Sequence, residues 1–297
     1  MKKLKAWLIY GKKDAEKNES FIRMHKEEGA ELGMEIELFY AEELSITIEN
    51  GEAELRYEGE RRELPDFVLC RTRDWLLTRQ LEQMGLLVLN NSTISLIGNH
   101  KAIAYQEAAK LSVPVIDTAF CRWEYLKNRL LRAEADQEGR LLKPLVVKAV
   151  AGHGGSQVLL YERREELPKI LSAVAGEDVV LQPRVAGPGE DIRVYIVGNR
   201  IQGCVLRRAR EGFKSNFSLG GSVEPYILSE QEKKLVMKFL EHWQFDFAGI
   251  DFIRDEKGRL LFNEIEDVVG SRMYYQCYEE DILFQYLSYI REKILFH

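Results

Sequence analysis

The chain has 297 residues, 45% hydrophobic and 30% charged, with formal net charge −6 and a pI near 5.6. That balance is ordinary for a globular protein, allows two or three modules, and argues against a general nucleic-acid binder, which would be basic. Four dispersed cysteines without a CxxC pair, five histidines without metal-ligand spacing, and an opening apolar run too brief for a signal peptide or membrane span predict a reduced, cytoplasmic protein with no membrane partner.

Residues 1–95 alternate strand and helix. "KAWLIYG" reads as a strand, "ESFIRMHKEEGAELGM" as an amphipathic helix and "EIELFY" as a strand. "DFVLCRTRD" follows as strand and loop, then the helix "WLLTRQLEQMG" and the strand "LLVLNN". Such alternation predicts a small parallel-sheet α/β domain, and no glycine fingerprint marks a dinucleotide site after the first strand. The helix "KAIAYQEAAKLS" then ends before Pro114, and two apolar runs flank the glycine-rich "AGHGGSQ" as a hairpin. Residues 177–209 supply three more strands. Ser229 and Glu232 form a capping box before "EKKLVMKFLEHW", and "FAGIDFIRDEKGRLLFNEIED" is another hairpin. In the last stretch Leu283, Leu287, Ile290 and Ile294 make a helical stripe suited to core packing.

The second hairpin carries acids on a strand that starts apolar. With its turn at Asp255–Gly258, one regular register sets Asp251 opposite Phe262 and another sets it opposite Glu264. Either puts Asp251, Glu264 and Glu266 on one face, an oxygen-rich cluster suited to Mg²⁺ or Mn²⁺; a solvent-exposed acidic face is the plainer alternative. Lys148 stands inside the apolar "PLVVKAV", and Lys101 opens a helix, where the dipole disfavours a cation. A bound phosphate would compensate both, as would a snorkelling Lys148 on an edge strand and a solvated Lys101. Gly152, Gly154 and Gly155 would let backbone amides close over phosphates.

In this order, "NHKAIAYQEAAKLSVPV", "PLVVKAVAGHGGSQV", "VVLQPRVAGPGEDIRVYIVGNRI", "RRAREGFKSNFSLGG" and the acidic hairpin resemble the RimK-like carboxylate–amine ligases of the ATP-grasp superfamily, over about residues 95–270. The resemblance implies an α/β chain, α+β towards its C-terminus. An N-terminal parallel-sheet pre-ATP-grasp domain (1–95) would precede subdomain A with the glycine loop (96–181) and subdomain B with the metal site (182–297). It implies that Lys101 and Lys148 hold ATP phosphates under a loop containing Gly154, Gly155 and Ser156. Gln182, Arg184 and Val185 would belong to the adenine hinge, Asp191 would lie near the ribose, and Lys214 and Asn216 near the γ-phosphate. Asp251, Glu264 and Glu266 would be the metal ligands, for two Mg²⁺ or Mn²⁺ ions.

The chain departs from the family pattern at Glu266, where Asn is usual, at Pro183 in the hinge, and at Leu219, where a basic residue is common. "VVGSRMYY" replaces a proline-glycine turn, so Arg272 and Tyr274 are expected to shape a different acceptor pocket. The implied reaction transfers the γ-phosphoryl of ATP to a carboxylate, and an amine then attacks the acyl phosphate to give an amide or peptide bond. Arg193 and Arg208, on neighbouring strands, are candidates to face the anionic substrates, with surface ion pairing as the alternative. Arg71 and Arg73 are candidates for the acceptor. The implied partners are a small-molecule or peptide carboxylate and amine and, by family habit, a second copy in a homodimer or homotetramer. A small-molecule kinase and a non-catalytic ATP-binding module are the competing readings.

Overall fold

The computed structural model describes residues 3–131, 145–153, 157–208 and 222–296, whose strands group into four sheets. The first is parallel, in the order Met34–Tyr40, Leu4–Tyr10, Phe67–Cys70 and Val88–Leu89. Leu4–Tyr10 runs inside it, so alternate side chains serve different cores. Ala6, Leu8 and Tyr10 pack with Ile22 of helix Glu19–Glu31, while Trp7 and Ile9 pack with Leu77 and Leu81 of helix Trp75–Gln83. A strand covered on both faces needs an unbroken apolar run, which "AWLIY" supplies.

The alternation of strands and helices gave no sign of a small antiparallel sheet, Leu44–Glu49, Glu52–Tyr57 and Glu60–Arg61. Its tight turns place Asn50, Gly51, Glu58 and Gly59 at positive φ, as two-residue hairpins require.

The second sheet is antiparallel, in the order Val158–Tyr161, Leu145–Ala149, Val179–Pro183 and Ala119–Cys121. The third has five antiparallel strands: Ser222–Pro225, Arg200–Arg208, Glu190–Val197, Phe247–Arg254 and Leu260–Glu266. On one face Ala248, Ile250 and Phe252 pack with Val236 and Phe239 of helix Glu230–His242 and with Tyr105 of helix Lys101–Lys110. On the other, Phe247 meets Tyr286 of helix Ile282–Leu295, ring centroids 4.9 Å apart. The capping box is present, with Ser229 and Glu232 bonding reciprocally. Leu283, Leu287 and Ile290 are buried as the stripe implied, with Ile294 partly covered.

A buried amide joins the parallel sheet to the five-stranded one. Asn90 donates to the Phe247 carbonyl (2.7 Å) and Asp267 Oδ1 (2.8 Å), and accepts from the amides of Asp246 (2.8 Å) and Phe247 (2.9 Å). Asp267 follows Glu266 directly, so this joint fixes the end of the acidic strand. Among the described residues no helix is long and apolar enough to cross a membrane.

Candidate active site

The acids converge, but not through a regular ladder. Beside the turn the pairs are Arg254 with Leu260, Ile253 with Leu261 and Phe252 with Phe262. Continued, that register would set Asp251 opposite Asn263 and send Glu264 and Glu266 to the opposite face. A β-bulge between Asp251 and Phe252 takes up the extra residue, Asn263, and Asp251 then pairs with Glu264 and Gly249 with Glu266. Neither expected register is therefore right along its whole length. Ligand oxygens of Asp251, Glu264 and Glu266 lie within 4.8 Å of one another.

The two lysines meet this cluster from the second sheet and the neighbouring helix. Lys148 is not on an edge, because its strand is paired on both sides, to Val158 and to Val180. Its side chain is 7% exposed, and its ammonium donates to Asn263 Oδ1 (2.8 Å) and the Tyr105 hydroxyl (3.3 Å). Burial lowers its pKa to about 8, with Glu264 and Asp191 pulling weakly the other way. Lys101 starts its helix with its amide bonded to the Val150 carbonyl (3.0 Å). Its ammonium lies 3.6 Å from Glu264 Oε2 and donates to the Gly152 carbonyl. Asn263 and Tyr105 were not among the expected site residues. Asn263 was hidden because the spacing was read on regular ladders, which have no place for a bulged residue.

Behind the acids lie two arginines. Arg193 grips Asp251 with two bonds (Nε to Oδ1 2.8 Å, Nη2 to Oδ2 2.6 Å) and reaches Glu266 Oε1 at 2.8 Å. Arg207 donates to Asp251 Oδ2 (2.6 Å) and to Asp191 Oδ1 (2.8 Å from Nε). Burial acts to raise the Asp251 pKa, but the two guanidiniums outweigh it and hold this carboxyl below its ordinary value. Glu266 shifts upward: burial, Asp251 and Glu264 together exceed the pull of Arg193 and Arg207. Asp191, expected near the ribose, is buried against Arg207. Arg208, one residue on, faces away from the acids and pairs with Glu190 (3.1 Å) and Glu224 (2.6 Å). The arginine of that strand at the cluster is thus Arg207. Strand parity names it once Arg207 pairs with Asp191 across the ladder.

In the hinge, Gln182 is 1% exposed and donates to Thr118 Oγ1 (2.8 Å), and its buried Oε1 has no partner among the described residues. Arg184 is exposed beside Glu162 (3.6 Å), and Val185 is half-buried. Gly154, Gly155, Ser156, Lys214, Asn216 and Leu219 lie outside the described residues. Arg71 is used inside the fold: it donates to the Val269 carbonyl (2.7 Å) and lies over the rings of Phe21 and Phe247. Arg73 remains half-exposed, 3.4 Å from Asp14, which Lys17 also approaches (3.6 Å). Tyr274 is core, packed on Tyr195 and Tyr278, and Arg272 donates to the Lys17 carbonyl (3.0 Å).

The four acids Asp191, Asp251, Glu264 and Glu266 face four cations, Arg193, Arg207, Lys101 and Lys148. The donor set fits a hard divalent cation: carboxylate oxygens close together, with Glu266 keeping 32% of its side chain accessible.

Residues 99–290 match the model of the RimK-like ATP-grasp domain. The chain is 29% identical over 280 residues to human beta-citrylglutamate synthase B, covering 90% of this chain and 72% of that protein. It is 28% identical over 231 residues to a probable alpha-L-glutamate ligase of Pectobacterium carotovorum, covering 73% of each. Among solved structures, D-alanyl-alanine synthetase A of Vibrio cholerae superposes with a TM-score of 0.73 at 15% identity, covering 100% of both chains. A RimK domain ATP-grasp protein of Sphaerobacter thermophilus superposes at 0.66 and 14% identity, covering 98% of this chain and 99% of that one. These neighbours share the ATP-grasp fold, and the family match spans nearly two thirds of the sequence: the chain belongs to the RimK-like ATP-grasp family.

Proposed function

We propose that the protein is an ATP-dependent ligase that joins a carboxylate to an amine through an acyl phosphate, releasing ADP and phosphate. The observation that carries this reading is the meeting of two lysines, one of them buried, with three clustered carboxylates. Lys101 and Lys148 would hold the phosphates of ATP, their present partners Glu264, Gly152 and Asn263 giving way. Asp251, Glu264 and Glu266 would hold Mg²⁺ or Mn²⁺, whose chemistry is to neutralise phosphate charge. Gln182 supports the adenine side of the site, since its buried Oε1 is an acceptor with no donor among the described residues. The glycine loop, Lys214 and Asn216 are assigned to the phosphates by position in the family motifs.

The chain's own groups then act by placement. The substrate carboxylate attacks the γ-phosphorus, the bond to the β-γ bridging oxygen breaks, and ADP leaves. The amine adds to the acyl carbonyl, loses a proton, and expels phosphate. No side chain becomes covalently bound. Arg73 follows the carboxyl end of Phe67–Cys70, beside the order reversal between that strand and Leu4–Tyr10, where ligands of open α/β sheets gather, and Lys17, the last residue of helix Lys12–Lys17, joins it across Asp14. We assign them to an anionic acceptor; the two relatives above carry glutamate in their names, so glutamate heads the amine candidates.

The test is ADP release from ATP with Mg²⁺ or Mn²⁺ across amino acids, dipeptides and small carboxylates, with hydroxylamine as a trapping amine. A ligase yields a hydroxamate in step with ADP. A phosphorylated alcohol without hydroxamate would make it a kinase, and nucleotide binding without substrate-stimulated turnover a sensor; either result overturns the assignment.

A further inference from the structure

Arg193 occupies a position that the reaction outlined above does not require. It pairs across the ladder with Asp251, yet its guanidinium continues sideways to Glu266, two residues further along the adjoining strand pair. The position it crosses is Gly249, which lies opposite Glu266. A Cβ there would lie 2.9 Å from Val269 Cγ2, too close for a real contact, and 3.5 Å from Arg193 Cδ and Nε, an ordinary contact distance, so the arginine passes close against this backbone. One nitrogen, Nη2, thereby donates to Asp251 Oδ2 at 2.6 Å and stands in ion-pair contact with Glu266 Oε1 at 2.8 Å, inside a side chain only 5% exposed. Glu264, by contrast, has its ion pair with Lys101 at a looser 3.6 Å.

We propose that Arg193 is a resident cation of the acidic cluster and that it hands Glu266 over when a divalent ion binds. The proposal rests on reading Asp251, Glu264 and Glu266 as ligands of that ion. In the ligand-free protein the guanidinium holds two of the three acids together and suppresses their repulsion. An arriving ion replaces it at Glu266, while Arg193 keeps its two bonds to Asp251. The glutamate at this position, where the family pattern has asparagine, is tolerated because a counter-charge is already built beside it. Arg193 is therefore a positioning residue, and it sets how much divalent cation the enzyme needs.

The experiment measures Mn²⁺ binding to the full chain without nucleotide, by calorimetry and by the electron-spin signal of free Mn²⁺. Arg193→Gln removes a competing positive charge and is expected to tighten Mn²⁺ by about tenfold. Glu266→Gln should weaken it by a similar factor. In the Glu266→Gln background, where no ion pair has to open, Arg193→Gln should tighten binding by about threefold or less. Equal tightening in both backgrounds would mean simple repulsion and would overturn the exchange, as would weaker or unchanged binding in Arg193→Gln. If Arg193→Gln does not fold, Arg193→Lys retains a cation that cannot bridge both acids, and it too must tighten Mn²⁺ for the proposal to stand. Absence of Mn²⁺ binding in the wild type, with and without ATP, would instead sink the metal-site reading on which all this rests.

Discussion

Replacing Lys148 with methionine separates what the ammonium does for ATP from what it does to the fold. Lys148 is 7% exposed, and burial takes its pKa from 10.5 to about 8. At 1.36 kcal/mol per tenfold change in proton affinity, that fall corresponds to about 3 kcal/mol by which folding disfavours the charged form near neutrality. The sign follows: between pH 8 and 10.5 the unfolded chain binds more protons at this site than the folded one, so the group's burden on stability eases as pH rises through that window. Lys148→Met loses two hydrogen bonds, to Asn263 and Tyr105, worth about 1 kcal/mol each. The net expectation is a variant as stable as wild type, or more stable by about 1–2 kcal/mol at pH 7, with the advantage shrinking toward pH 10. It should also have lost ATP turnover by about a hundredfold or more. Urea unfolding at pH 7 and pH 9.5, together with ADP release, reads both halves. A variant destabilised by several kcal/mol at pH 7, or one with turnover intact, would refute the reasoning.

Glu264→Ala should abolish metal-stimulated ADP formation while circular dichroism and the thermal transition stay near those of wild type; unchanged ADP release would remove Glu264 from the ligand set. Asn90→Ala leaves the Asp246 and Phe247 amides and the Asp267 carboxylate without their shared partner, so stability should fall by about 3 kcal/mol in urea unfolding. Ser229→Ala breaks the capping box of helix Glu230–His242 at a cost of about 1 kcal/mol, seen as a shift in urea midpoint at constant slope.

Much of the architecture was legible because local signals agreed with the tertiary outcome. The capping box, the stripe through Leu283, Leu287 and Ile290, and the apolar run of the first strand each state both a conformation and a buried face. The sheet at residues 44–61 was missed: its one local signal, Asn50-Gly51, is a hairpin turn, but the flanking strands are weakly buried and carry exposed glutamates, so no apolar alternation marks them. The acids and lysines stood out because charge inside apolar runs is costly. Arg207 did not, since a doublet of arginines gives no hint of which one faces inward until the cross-strand partner is known. Asp191 supplies that partner only in three dimensions. Arg71, likewise, looked like a ligand contact from its place after a strand, yet Val269 and two aromatic rings engage it inside the fold.

The bulge at Asn263 takes up one surplus residue between Phe262 and Glu264. Removing the single asparagine would join Phe262 to Glu264 in a regular ladder where Glu264 still meets Asp251, so its loss would spare the direction of the acids and take away the 2.8 Å partner of the Lys148 ammonium.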